Sequence, residues 1–211
     1  MSWRVWIWLL SLSVLWGGSF FLAKVATGEL RPLTVVFGRV ALAALVLNLV
    51  LIVGRRRPFG RTAPWRTYFA MGLLNNVIPF SLIFWGQTHI AVGLASILNA
   101  TTPLFTLIVA HFLTSDERMS GAKSLALMAG LAGVVLLLGP DILLQPGASL
   151  WGEIACVGAA LSYAFAGIYG RRFKAMGVGS MEAATGQLTA STVLILPIML
   201  VVEARRLDEA P

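Results

Sequence analysis

Charge is what this chain has least of. Of its 211 residues 12% are charged, where soluble chains carry about a quarter, so a water-solvated domain is excluded from the start. Acids are the scarcest: nine Asp and Glu against sixteen Lys and Arg. Cys156 is the single cysteine, so no intramolecular disulfide can form and the redox compartment is not readable. The two histidines, His89 and His111, lie most of a helix apart and make no HxxxH or HExxH metal pair. No G-x-S-x-G elbow, Walker loop or dinucleotide-binding glycine triplet occurs. The chain is therefore read as no enzyme, with no cofactor and no metal, and any transport it performs has to draw on gradients.

What is there is hydrophobic: 58% of residues, with a mean hydropathy of +0.84. Seven windows are long enough to cross ~30 Å of hydrocarbon as helices: Val5 to Thr27, Leu33 to Val53, Tyr68 to Thr88, Val92 to Thr114, Leu125 to Leu144, Trp151 to Tyr169 and Ala183 to Val202. The first follows Arg4 as a signal peptide would, but it is too long for an h-region and has no clear small-x-small cleavage site, so it is read as a spanning helix.

The net charge of +7 is distributed by loop. Arg55, Arg56, Arg57, Arg61 and Arg66 lie between the second and third windows, Arg118 and Lys123 after the fourth, and Arg171, Arg172 and Lys174 after the sixth; the intervening loops hold Arg31. This asymmetry places the N-terminus in the cytoplasm and explains the basic residues without nucleic acid, which is not expected as a partner. Asp116 and Glu117, beside Arg118, read as cap and salt-bridge residues.

Short connections such as GELRP and SDERMS make sequential helices antiparallel neighbours in one bundle. Gly130 and Gly133 in GAKSLALMAGLAGVV suggest a thinned, close-packing helix face. An internal repeat is visible: Trp16 and Tyr163, like Lys24 and Arg171, are 147 residues apart. That is five helices, and an odd number of spans inverts the second copy.

Intramembrane cations and carboxamides are the candidate functional residues. Lys24 and Arg39 both fall in the outer half of the membrane, near Glu29. Lys24 either snorkels to the interface or faces a cavity. Arg39 lies deeper, and either pairs structurally or attracts substrate. In NNVIPFSLIFWGQTH, Asn75, Asn76 and Gln87 join Pro79, which removes a backbone donor and frees a carbonyl in the preceding turn; Trp85 and Phe80 add aromatic surface. In SILNATTPLFTLI, Asn99, Thr101, Thr102 and Pro103 make a second polar, kink-prone segment. Each cluster reads either as interhelical hydrogen bonding or as the wall of a midplane solute site flanked by helix kinks at Pro79 and Pro103.

These residues resemble the EamA family of the drug/metabolite transporter superfamily. The likeness rests on LWGGSFFLAK at 15–24, RPLTVVFGR at 31–39, ASILNATTPLFTLIVAHFLTSDERMS at 95–120 and the glycine-spaced helix 121–139; Arg39, Asn99, Pro103 and Glu117 match the family pattern. It implies an all-α polytopic membrane bundle built as inverted five-helix repeats, the first over 1–144 and a partial second with two membrane helices over 145–211. It implies an inner-membrane exporter or exchanger of a small metabolite or drug-like solute, with a central cavity holding Lys24, Arg39, Asn75, Asn76, Trp85, Gln87, Asn99 and Thr102. The expected partners are a small-molecule substrate and the lipid bilayer, with room for a coupling ion and a homodimer. Because the chain stops at Pro211 after about seven windows, the expectation is a transporter with its second repeat incomplete. The alternative is a non-transporting membrane assembly or sensor component.

The charge asymmetry makes a direct prediction. Engineered cysteines beside Arg57, Met119 and Lys174 should react with impermeant maleimide only from the cytoplasmic side, and one beside Leu30 only from outside; labelling of all four from one side would sink the arrangement.

Overall fold

A computed structural model describes residues 2–54, 63–115, 119–138 and 149–204, and every regular element among them is a helix. They are α1 (Trp3–Glu29), α2 (Pro32–Val53), α3 (Trp65–Gly72), a π-helical turn (Leu73–Val77), α4 (Ile78–Gln87), α5 (Val92–Asn99), α6 (Thr102–Leu113), α7 (Gly121–Leu138), α8 (Leu150–Ala175) and α9 (Ser180–Ala204). Among the described residues six helices are long and apolar enough to cross a membrane: α1, α2, a third span Trp65–Gln87, a fourth span Val92–Leu113, α8 and α9. The protein is an all-α polytopic membrane bundle. The fifth window appears as α7 up to Leu138; its remaining residues, most of the basic loop, Asp116, Glu117, Arg118 and the tail after Ala204 lie outside the described residues.

Proline chemistry shapes the third span. Pro79 has no N–H to return to the preceding turn, and the Ile78 N–H reaches back to the Leu73 carbonyl, five residues away, closing the π turn. The Leu74 carbonyl loses its helical donor and takes the Ser162 hydroxyl of α8 at 2.7 Å. In hydrocarbon no water can do this, so a partner helix must. In the fourth span Pro103 likewise sits in the first turn of α6, and the Asn99 carbonyl is taken by the Thr102 hydroxyl at 2.7 Å. One break is satisfied by a neighbouring helix, the other locally.

Cross-helix bonds give the directions. Glu203, at the end of α9, bonds the start of α2, while Asn48 of α2 donates to Thr189 at 3.0 Å, so α2 and α9 are antiparallel. Tyr68 donates to Glu182 and Asn76 to Ser191, which runs the third span parallel to α9. Gly86 lies against Cys156 and Leu82 against Gly158, so the third span opposes α8. The third span and α8 hold the buried centre with α2 and α9 beside them: Val36, Val40, Val77, Phe80, Ile83, Phe84, Ala159 and Ile195 form one apolar cluster. α1 lies at the edge, burying Phe20 and Ala23. The Leu, Val and Trp side chains left exposed around the outside are the surface a bilayer solvates.

Close approach falls on different glycines from those the sequence suggests. A Cβ on Gly130 or Gly133 would meet nothing within 4 Å, because these glycines face away from the neighbouring helices. On Gly72 it would meet the Gln187 carbonyl at 2.8 Å, and on Gly86 the Cys156 Sγ at 2.9 Å. Gly186 lies under the Tyr68 ring, too close for any side chain. The α8–α9 turn needs Gly177, whose φ is +72°; the Val178 N–H bonds the Phe173 carbonyl across it at 2.9 Å, a glycine-ended helix stop.

Gly186→Ala should therefore destabilise the protein by about 1–3 kcal/mol through overpacking, seen as a lower melting temperature in detergent. Gly130→Ala should leave it unchanged. Adding Tyr68→Leu to Gly186→Ala should recover part of the loss.

Candidate functional site

Arg39 projects from α2 about 10 Å inside its first residue, at 1.5 Å per residue. Its guanidinium donates to the Ser19 hydroxyl of α1 at 3.1 Å. It lies over the Phe80 ring, 4.6 Å from the centroid, and 5.9 Å from that of Phe84. The aromatic set continues from Phe80 to Tyr163 of α8 at 6.5 Å and from Tyr163 to Trp16 of α1 at 6.2 Å. Four helices thus converge on one cation. Glu29, the acid nearest in the sequence reading, is exposed at the end of α1 and Arg39's polar contact is Ser19 instead. A guanidinium against ring faces keeps its charge in an apolar setting by cation–π attraction, while its in-plane donors stay available.

Lys24 does something else. Its ammonium donates to the Gln87 carbonyl, at the end of the third span, where carbonyls have no helical donors and the dipole is negative. The Gln87 side chain is fully buried and donates back to the Phe20 carbonyl at 3.3 Å; its Oε1 has no partner. Lys24 and Gln87 tie peripheral α1 to the third span.

Asn75 and Asn76 face α9. Asn75 donates to the Gln187 Oε1 at 3.3 Å and buried Asn76 to the Ser191 hydroxyl at 2.9 Å; Ser191 in turn donates its one hydrogen to the Gln187 carbonyl at 2.6 Å, with the Gly72 carbonyl at 3.2 Å as the alternative acceptor. This polar seam beside the π turn joins two helices. Asn99 leaves its Oδ1 buried and unpartnered. Thr102 closes the backbone break, and Pro103 is exposed. Thr102 and Pro103 line a cavity of about 650 Å³ shared with Thr106 and Lys123.

Trp85 lies apart from Arg39's ring set, in a cavity of about 350 Å³ with Arg31, Ser81 and Glu203. There Glu203 accepts from the Leu33 N–H at 2.9 Å, the Thr34 N–H at 3.2 Å and the Thr34 hydroxyl, and Arg31 donates to the Glu203 carbonyl. A carboxylate from α9 caps the N-terminus of α2. A further cavity of about 630 Å³ opens at the opposite end between the third span, α8 and α9, by Lys174, Ser180 and Gln187.

The proposed residues thus divide. Arg39 lies in the aromatic cluster, Lys24 and Gln87 tie α1 down, Asn75 and Asn76 join α9, Trp85 lines the cavity beside Glu203, and Asn99 and Thr102 occupy the fourth-span break. Sequence reasoning missed Ser19, Phe84, Tyr163, Ser162, Gln187, Ser191 and Glu203 as partners. The repeat spacing that pairs Trp16 with Tyr163 was the one signal that could have found Tyr163.

The EamA-like transporter family model matches residues 3–139. The uncharacterized transporter YoaV of Bacillus subtilis (strain 168) is 26% identical over 202 residues, covering 95% of this chain and 68% of that protein. The uncharacterized inner membrane transporter YedA of Escherichia coli (strain K12) is 28% identical over 195 residues, 91% of this chain and 61% of its own length. Protein PecM of Dickeya dadantii (strain 3937) is 26% identical over 190 residues, 89% and 60%. The chain spans about two thirds of these relatives. A crystal structure with 20% sequence identity superposes with a TM-score of 0.66 over 89% of this chain and 64% of that one, a likeness of fold.

Because Glu203 satisfies the first N–H groups of α2, Glu203→Ala should cost about 1–2 kcal/mol, the range of a lost helix cap, read as a lower melting temperature in detergent. Glu203→Gln, which keeps the amide oxygen as an acceptor, should cost clearly less.

Proposed function

Because this chain belongs to the EamA-like transporter family, we propose that the complete protein is a secondary transporter that exports or exchanges a small metabolite or drug-like solute by alternating access. The observation that carries this reading is Arg39, a cation held inside the bundle by a serine of α1 and two phenylalanine rings of the third span, one of which packs on Tyr163 of α8. A charge at that depth normally belongs to a solute or ion path. A purely scaffolding cation is represented in the same chain by Lys24, seated on a helix-end carbonyl, and Arg39 has no such seat among the described residues.

The architecture proposed for it is two inverted five-helix repeats, the second only begun within this chain. A displacement of 147 residues carries Trp3 to Leu150, Glu29 to Met176 and Pro32 to Gly179; α8 is Leu150–Ala175 and α9 starts at Ser180. Equivalent elements also touch: α2 packs antiparallel on α9, and the Trp16 ring meets Tyr163, as residues on a two-fold axis in the membrane plane would. Alternating access then consists of one repeat rocking against the other, with cavities at opposite ends of the α9 interface as the two mouths. The inner-membrane location and cytoplasmic N-terminus rest on the basic-loop asymmetry and on the printed name of the Escherichia coli relative.

Solute flux into sealed vesicles tests the reading. In the complete protein Arg39→Gln should lower initial flux by about tenfold or more, a barrier rise of about 1.4 kcal/mol, at near-normal membrane abundance. Arg39→Lys keeps the charge but loses the planar fork and should fall between; Lys24→Gln should be milder. Normal flux in Arg39→Gln sinks the role, and flux lost in step with folded protein assigns Arg39 to structure.

A further inference from the structure

We infer that Arg39 and the Tyr163 hydroxyl form the anion pole of the solute site, and that its ligand is a singly charged organic carboxylate with an apolar, ring-sized body. That the ligand is cargo rests on the transporter reading; its chemistry rests on the geometry.

A guanidinium has five N–H donors in one plane and prefers a carboxylate that takes two of them. Arg39 spends one contact on Ser19; its guanidinium carbon lies over the Phe80 and Phe84 rings, which carry no oxygen or nitrogen to accept its N–H groups. Among the described residues the Tyr163 hydroxyl, which is buried, has no partner, and its ring packs on Phe80, the ring that also carries the guanidinium. A buried hydroxyl left without a partner is a costly arrangement, and an acceptor arriving beside Arg39 is what both groups lack.

No described acid fills that place. Glu29 is exposed at the end of α1, Glu182 accepts from Tyr68, and Glu203 caps α2. Glu153 lies ten residues before Tyr163 on α8, about 15 Å along the helix.

The charge of the ligand follows from the count of cations. Lys24 is committed to the Gln87 carbonyl, which leaves Arg39 as the cation at this cluster among the described residues to balance an incoming anion. A monoanion neutralises it; a dianion would bring a second charge into apolar surroundings with nothing opposite it. The body of the ligand follows from the walls. Phe80 and Phe84 are buried and stacked on each other behind the guanidinium, while half-buried Tyr163 and Trp16, 43% exposed, bring ring surface to the edge beside α1. A sugar or other neutral polyol would leave Arg39 unneutralised and waste the aromatic surface.

Binding, measured apart from flux, tests this. The purified chain in lipid nanodiscs is dialysed against radiolabelled 3-phenylpropanoate, its neutral amide and 2-phenylethylphosphonate at a pH of about 9.5, where the phosphonate is a dianion. The carboxylate should bind at least about tenfold more tightly than the amide, as a charge-assisted pair predicts, and more tightly than the phosphonate. Arg39→Gln should abolish the preference for carboxylate over amide. Tyr163→Phe should weaken carboxylate binding by about three- to tenfold with the preference retained. Equal binding of carboxylate and amide, absence of saturable carboxylate binding, or a preference that survives Arg39→Gln overturns the assignment. Should Arg39→Gln fail to fold, the carboxylate-to-amide ratio of the unaltered chain and the response of Tyr163→Phe decide, and an unchanged affinity in Tyr163→Phe overturns it. Flux of a neutral solute without carboxylate binding would keep the transporter reading while removing this one; carboxylate binding with no flux of any solute in the complete protein would do the reverse.

Discussion

The rest of this bundle depends on a missing hydrogen-bond donor. Pro79 cannot close an α-helical turn, and in a solvent that donates nothing the freed backbone has to find another group. The π turn and the Ser162 hydroxyl are the response. Their consequence reaches past local satisfaction, because a π turn shifts the phase of everything after it. Up to and within the turn, Tyr68, Gly72 and Asn76 face α9; after it, Phe80, Ile83 and Gly86 face α2 and α8. One span thereby serves two interfaces, and Phe80 and Phe84 come to lie against Arg39.

The polar groups of the membrane interior fall into two kinds by what they touch. Those that hold helices together are paired: Asn76 with Ser191, Asn48 with Thr189, Glu203 with the start of α2, Lys24 with a helix-end carbonyl. They cluster at the π turn and toward the ends of spans. Among the described residues the buried atoms left without a partner are the Tyr163 hydroxyl, the Asn99 Oδ1 and the Gln87 Oε1. Tyr163 adjoins the ring pair that carries Arg39. Burial and membrane depth do not separate these classes, whereas pairing does, and pairing singles out the surroundings of Arg39.

How much of this could be read from the chain depends on range. Helix extents are set locally, by twenty-odd apolar residues between polar breaks, and Leu33 to Val53 against Pro32–Val53 is the accuracy that locality permits. Pro79 and Pro103 announce their breaks because the missing N–H is a property of one residue. Which partner repairs a break is not local: Ser162 lies 88 residues from Leu74, and Glu203 lies 170 from Leu33. Serines and an acid in apolar helices look alike until the packing chooses among them. Gly130 and Gly133 look like close-packing glycines for the same reason, and the packing chose Gly72, Gly86 and Gly186.

Arg39 also bears on energetics of a different kind. A charge fixed within the membrane feels the transmembrane potential, which does about 2.3 kcal/mol of work per elementary charge across a full 100 mV drop. If α2 carries that charge from one access to the other, the empty protein is voltage-sensitive in proportion to the fraction of the field that Arg39 crosses. A bound monoanion cancels the charge, and the loaded protein then moves through the same field with no net charge at this site. The potential would then act on the return of the empty protein and leave the loaded step nearly untouched, so that in the proposed cycle one guanidinium would set which half is electrically driven.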